Sequence, residues 1–201
     1  MSPVDIIYKG LTAFLLLLIL AACQSTPVDT AVEPEAAASE SDVDKVADTV
    51  IAQPSPYEQN QPSVSRDAKE RFNKALIAMQ AADWETAKNE LLGLAQDYPA
   101  LSGPLLNLGI VAEQQADVDA AEKYYQQTIS VNPTNMAAYH RYGVMLREQG
   151  RFQDAEVVYL DALKIWPDDA SSHKNLGILY DLYMGRLEEA LGHYQTYLAF
   201  P

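Results

Sequence analysis

Three glycines, Gly109, Gly143 and Gly177, stand 34 residues apart. Other positions keep the same interval: Pro99, Pro133 and Pro167; Ala87, Ala121 and Ala155; Leu91, Tyr125 and Tyr159. A chain that repeats its small, aromatic and proline positions at one period is assembled from copies of one supersecondary unit. Each position has a physical reason. Gly143 is small enough for a second helix to approach closely, and Ala155 serves the same end from the other side. Tyr139 and Tyr159 fill the space between hairpins. Pro167 lacks the N–H that would continue a helix, so it closes the unit. One such hairpin cannot bury its own apolar face, so neighbours must stack on it.

The fullest copy runs over residues 136–167, with Tyr139, Tyr142, Gly143, Leu146, Ala155, Tyr159, Ala162 and Pro167 in frame. This pattern resembles the tetratricopeptide repeat, and the resemblance extends over residues 66–201. It implies an all-α fold, a right-handed solenoid of four helix hairpins, with repeats at about 68–101, 102–135, 136–169 and 170–201. The first repeat is degenerate, as befits a terminal unit without an outer neighbour. It still places Phe72, Leu76 and Met79 at helical spacing. Ser65 and Ser102 are expected to cap first helices, and Trp84 to sit in the hairpin core. The fourth repeat carries one extra residue between Tyr180 and Ala190, expected in the turn around Met184 and Gly185.

Residues 1–22 read as an export leader. Residues 11–20 are almost wholly apolar, too short a run for a comfortable transmembrane helix. The run ends in Leu20-Ala21-Ala22-Cys23, which resembles the bacterial lipobox. That resemblance implies a lipidated Cys23, the only cysteine of the chain. Several acyl chains on one residue anchor stably where a single chain is marginal. Gln24 in place of Asp implies the outer membrane, facing the periplasm. Residues 23–65 follow as a linker, acidic and interrupted by Pro27, Pro34, Pro54, Pro56 and Pro62. With few and small apolar residues it cannot bury enough surface to fold. As a random coil its flexible part would span about 35 Å.

The net charge of −14 makes nucleic acid a poor partner, because phosphate binding needs clustered Lys and Arg. No catalytic constellation is visible, and neither a cofactor nor a metal is expected. His140, His173 and His193 have no carboxylate or cysteine at relay or ligand spacing, and no phosphate-cradling glycine loop occurs. An enzyme is not expected.

By resemblance, the first helix of each hairpin lines a groove that binds an extended protein segment. Counting through the repeats places Asn73, Asn107, Arg141 and Asn175 at one groove position and Phe72, Leu106, His140 and Lys174 at its neighbour. Arg147 lies six residues, nearly two turns, beyond Arg141. A side-chain amide both donates and accepts, so it can pair with a peptide backbone of any sequence. Arg141, Arg147 and Lys174 would hold a carboxylate or acidic segment through charge-assisted bonds. No polar capping helix follows the fourth repeat, so Leu191, Tyr194, Leu198 and Phe200 are expected as an exposed association patch. The expected function is a protein-interaction scaffold or adaptor, anchored at the outer membrane, in assembly of an envelope complex. Resemblance suggests type IV pilus biogenesis or an envelope-transport machine. The alternative is a self-associating structural module, a homo-oligomer with an empty groove.

Overall fold

A computed structural model describes residues 54–59 and 63–200, the side chain of Glu58 excepted. They fall within one compact unit, Asp48–Pro201. The leader, Cys23 and the linker up to residue 53 lie outside the described residues. The described chain is all helix: a single turn α1 (Pro56–Gln59), then α2 (Arg66–Gln80), α3 (Trp84–Asp97), α4 (Ser102–Gln114), α5 (Val118–Val131), α6 (Met136–Glu148), α7 (Phe152–Ile165), α8 (Ala170–Leu179), a π turn (Tyr180–Met184) and α9 (Leu187–Ala199). Helices α2 to α9 pair as four antiparallel hairpins, each stacked on the next. Among the described residues, no helix is long and apolar enough to cross a membrane.

The glycine rule holds in space. A Cβ built on Gly109 would lie 2.4 Å from the Tyr125 ring, one on Gly143 2.4 Å from Tyr159, and one on Gly177 2.5 Å from Tyr194. Each of these three tyrosines therefore lies against the first helix of its own hairpin. Ala87, Ala121, Ala155 and Ala190 are buried where the paired helices meet. Pro99, Pro133 and Pro167 each follow the last helical residue of their unit by two positions. Trp84 opens α3 and packs against the core of the first hairpin.

The hairpin turns share one geometry. Ala82, Ala116, Gly150 and Gly185 all take a left-handed conformation, with φ of 56°, 58°, 74° and 68°. In the first three hairpins the next N–H bonds back to the carbonyl five residues earlier, as Arg151 does to Leu146. In the fourth, Arg186 reaches six residues back to Tyr180. The extra residue of the fourth repeat is thus taken up inside the first helix, as the π turn, and not in the turn after it. A wider helical turn keeps backbone hydrogen bonds that a longer loop would lose.

Ser65 caps α2, accepting from the Ala68 N–H at 3.1 Å. Ser102 does not cap α4. Leu101 occupies that position in extended conformation without a side-chain bond, and Ser102 is the first helical residue. Its buried hydroxyl instead accepts from Asn135 Nδ2 at 3.0 Å, tying the start of α4 to the start of α6.

Two carboxylates clasp successive hairpins. Glu122 of α5 accepts from Tyr142 Oη at 2.7 Å and from Arg151 Nη1 at 2.6 Å. Glu156 of α7, 34 residues later, accepts from Tyr180 Oη at 2.7 Å and Arg186 Nη1 at 2.6 Å. The hydrogen bond from Arg151 holds the Glu122 carboxyl below the usual range. Arg151 and Arg186 precede α7 and α9 at the place where Asp83 and Asp117 cap α3 and α5. One position therefore serves two purposes: capping its own helix in the first half of the array, and binding the previous hairpin in the second.

Candidate protein-binding face

The first helices α2, α4, α6 and α8 carry every residue of the expected groove. Asn73 is exposed on α2. Asn107 is half-buried, and its Nδ2 donates to the Gly103 carbonyl of its own helix at 2.9 Å, leaving the amide oxygen as acceptor. Asn175 is half-buried on α8. Arg141 is exposed, with Nη1 3.7 Å from Glu113 Oε2. The Arg147 guanidinium lies 5.7 Å from the Tyr183 ring centre, and its Nη1 is buried without a hydrogen-bond partner. The Lys174 ammonium lies 5.7 Å from the Tyr197 ring centre. Phe72 lines a cavity of about 210 Å³ with Tyr57, Val64, Lys69, Leu94 and Pro104. The end of the linker thus packs where the first-helix face begins.

His140 has a carboxylate partner after all. Its Nε2 lies 2.5 Å from Oδ2 of Asp169, 29 residues away in sequence. Asp169 is 3% exposed and also accepts from the Ser172 N–H and hydroxyl. Burial by itself would raise this carboxyl. The bonds from His140 and Ser172 outweigh it, and the group is held below the usual range. The cluster has the residue types of a hydrolytic triad without its wiring. Imidazole and hydroxyl both bond the same carboxylate oxygen, and no bond joins Ser172 to His140. Ser172 is wholly buried, out of reach of a substrate. The arrangement pins α6 to the start of α8. His140 therefore serves a junction through its Nε2.

His173 and His193 join α8 to α9. Their Nδ1 atoms lie 2.9 Å apart, and His173 Nε2 lies 3.0 Å from the Pro167 carbonyl. A carbonyl only accepts, so in the neutral pair His173 carries its proton on Nε2 and His193 donates from Nδ1. Burial, then the neighbouring His173, pushes the His193 imidazole below its ordinary value. Among the described residues no group of three or more His, Cys, Asp or Glu side chains is placed to hold a metal.

The expected association patch is split by the structure. Leu191 and Leu198 are exposed, but Tyr194 packs against Gly177 and Phe200 lies 6.4 Å from the His173 ring. Sequence reading missed Leu182 and Leu187, both largely exposed. It also missed Lys69, an exposed cation at the groove's first position; counting one place past Ala68 would have found it.

Stacked antiparallel hairpins with a glycine–tyrosine contact in three of four units define a helical-repeat scaffold. Residues 106–170 match the family model of the tetratricopeptide repeat. Solved structures share the fold. MamA from Desulfovibrio magneticus RS-1 is 22% identical, with a TM-score of 0.56 over 68% of this chain and 76% of that one. A tetratricopeptide repeat protein from Parabacteroides merdae is 19% identical, with a TM-score of 0.58 over 66% and 52%. Pseudomonas aeruginosa pilF is 22% identical, with a TM-score of 0.57 over 65% and 60%. At these identities the likeness establishes the fold alone. A comparison of the sequence with curated proteins gives no match. Repeats of this kind are protein–protein interaction scaffolds.

Proposed function

We propose that the protein is a lipid-anchored scaffold of the outer membrane, facing the periplasm, that holds an extended acidic segment of an envelope component on its first-helix face. One observation carries the partner's chemistry. Residues 66–201 hold 19 acidic and 12 basic side chains, yet Lys69, Arg147 and Lys174 on the first helices form no ion pair among the described residues. In an acidic domain, cations left without carboxylates mark where an external carboxylate is favoured. Exposed Asn73 and half-buried Asn175 add amides that can pair with its backbone.

The anchor rests on residues 11–20 and the Leu20-Ala21-Ala22-Cys23 run. Pilus assembly is supported by fold-level likeness to pilF and by nothing finer.

The test is fluorescence anisotropy with a labelled peptide of alternating Glu and Ala, titrated with the full chain. Lys69→Glu/Lys174→Glu should weaken binding about tenfold, roughly 1.4 kcal/mol, with helicity unchanged. Equal binding by both chains would remove this reading. Mass spectrometry of the mature amino terminus tests the anchor separately: a diacylglyceryl-modified Cys23 is expected, and an unmodified Cys23 refutes it.

A further inference from the structure

Two of the three junctions between hairpins are closed by polar ties near the start of the first helices. At the second, Asn135 Nδ2 donates to Ser102 Oγ at 3.0 Å. At the third, His140 Nε2 lies 2.5 Å from Asp169 Oδ2. The first junction carries apolar side chains at the same places. Leu101 stands 34 residues before Asn135 and 68 before Asp169, Ala68 stands 34 before Ser102, and Phe72 stands 68 before His140. None of these three side chains can form a hydrogen bond, and an apolar cavity of about 210 Å³ opens among them, walled also by Tyr57, Leu94 and Pro104. Walls that face a gap forgo the packing that an occupant would supply.

Volume, lining and rim define that occupant. An apolar cavity of about 150 Å³ is enough to hold a benzene ring, so this one has room for an aromatic side chain. The Tyr57 and Phe72 rings offer faces and edges against which a third ring packs with a gain beyond its buried area. At the rim, Lys69 is exposed and has no ion pair among the described residues, which favours a carboxylate beside the ring. We propose that this cavity anchors an aromatic side chain of the bound acidic segment, a Phe or Tyr flanked by Glu or Asp, with Lys69 pairing the flanking carboxylate. This occupant presupposes the acidic segment proposed above and specifies what that segment must carry. An aromatic residue held here fixes the segment's register and leaves its remaining acids to Arg147 and Lys174.

Fluorescence anisotropy with the full chain tests the anchor through two labelled peptides: the alternating Glu and Ala peptide, and the same peptide with one central Ala replaced by Phe. The Phe peptide should bind about tenfold more tightly, the effect of a single well-buried anchor. Gly103→Leu fills the cavity from α4. A Cβ at 103 would lie 3.7 Å from the Phe72 ring, an ordinary contact, so the helix has room for the new side chain. This variant should bind the two peptides equally, with unchanged helical circular dichroism. Equal binding of both peptides by the parent chain, or a preference that survives Gly103→Leu in a folded variant, overturns the anchor and leaves the acidic-segment reading standing. A parent chain that binds neither peptide overturns both. The comparison of peptides in the parent chain decides the matter even if Gly103→Leu does not fold.

Discussion

A methyl group on Gly143 would lie 2.4 Å from the Tyr159 ring, which is wholly buried and has nowhere to retreat. Gly143→Ala should therefore destabilise the fold by about 3 kcal/mol, through forced displacement of ring and helix. Thermal unfolding followed by circular dichroism should show a Tm lower by roughly 10 °C. The reverse logic applies in the turns. Ala116 holds φ at 58°, where an L-residue with a Cβ is strained and glycine is not. Ala116→Gly should gain about 1 kcal/mol, and Gly150→Ala, at the matching place one repeat on, should lose a similar amount. An unchanged Tm for both would mean that the turn geometry is not under this strain.

Between elements, the histidine contact of α8 and α9 makes stability depend on pH. The folded state holds His193 below its ordinary value of 6.5, so it binds fewer protons than the unfolded chain there. The stabilising contribution is present above 6.5 and is lost as pH falls through the folded value. Protonating both rings also turns both Nδ1 atoms into donors, which breaks their bond. Chemical denaturation across this window should show stability falling with acidity, and His193→Gln should flatten that slope. Asp169 has the same sign at lower pH, since its folded carboxyl is also depressed; its contribution is lost on acidification below the ordinary carboxylate value of 3.8.

Over the whole array, stability is a sum of unit and junction contributions. The clasps of Glu122 and Glu156 join the second hairpin to the third and the third to the fourth. At the first junction Lys88 stands where those glutamates stand, and Asp117 is occupied in capping α5. The first hairpin is held to the second by apolar packing. Native-state hydrogen exchange should therefore find α2 and α3 opening before α6 and α7; equal or reversed protection would contradict this ordering. Much of this architecture could be read in the sequence, because Gly143, Ala155, Tyr159 and Pro167 each report a local steric demand that recurs at fixed distance. What could not be read depends on distance in space. His140 and Asp169 are 29 residues apart, and no spacing rule joins them. Ser102 lost its expected role because an extended Leu101 shifted the helix start by one residue. Tyr194 was misplaced although its signal was present: it repeats Tyr125 and Tyr159, which face the glycines of their own hairpins.

The π turn at Tyr180–Met184 bears on how such arrays change over generations. An inserted residue would ordinarily rotate every later side chain of a helix by ~100° and so ruin its fit. Here the surplus is absorbed within one turn. Leu176 and Gly177 before it keep their facing, and Arg186, Ala190 and Tyr194 after it keep theirs, each 35 residues from its counterpart. A codon gained at that place is inherited without a compensating loss elsewhere, so the fourth repeat can vary in length while its neighbours are held to 34.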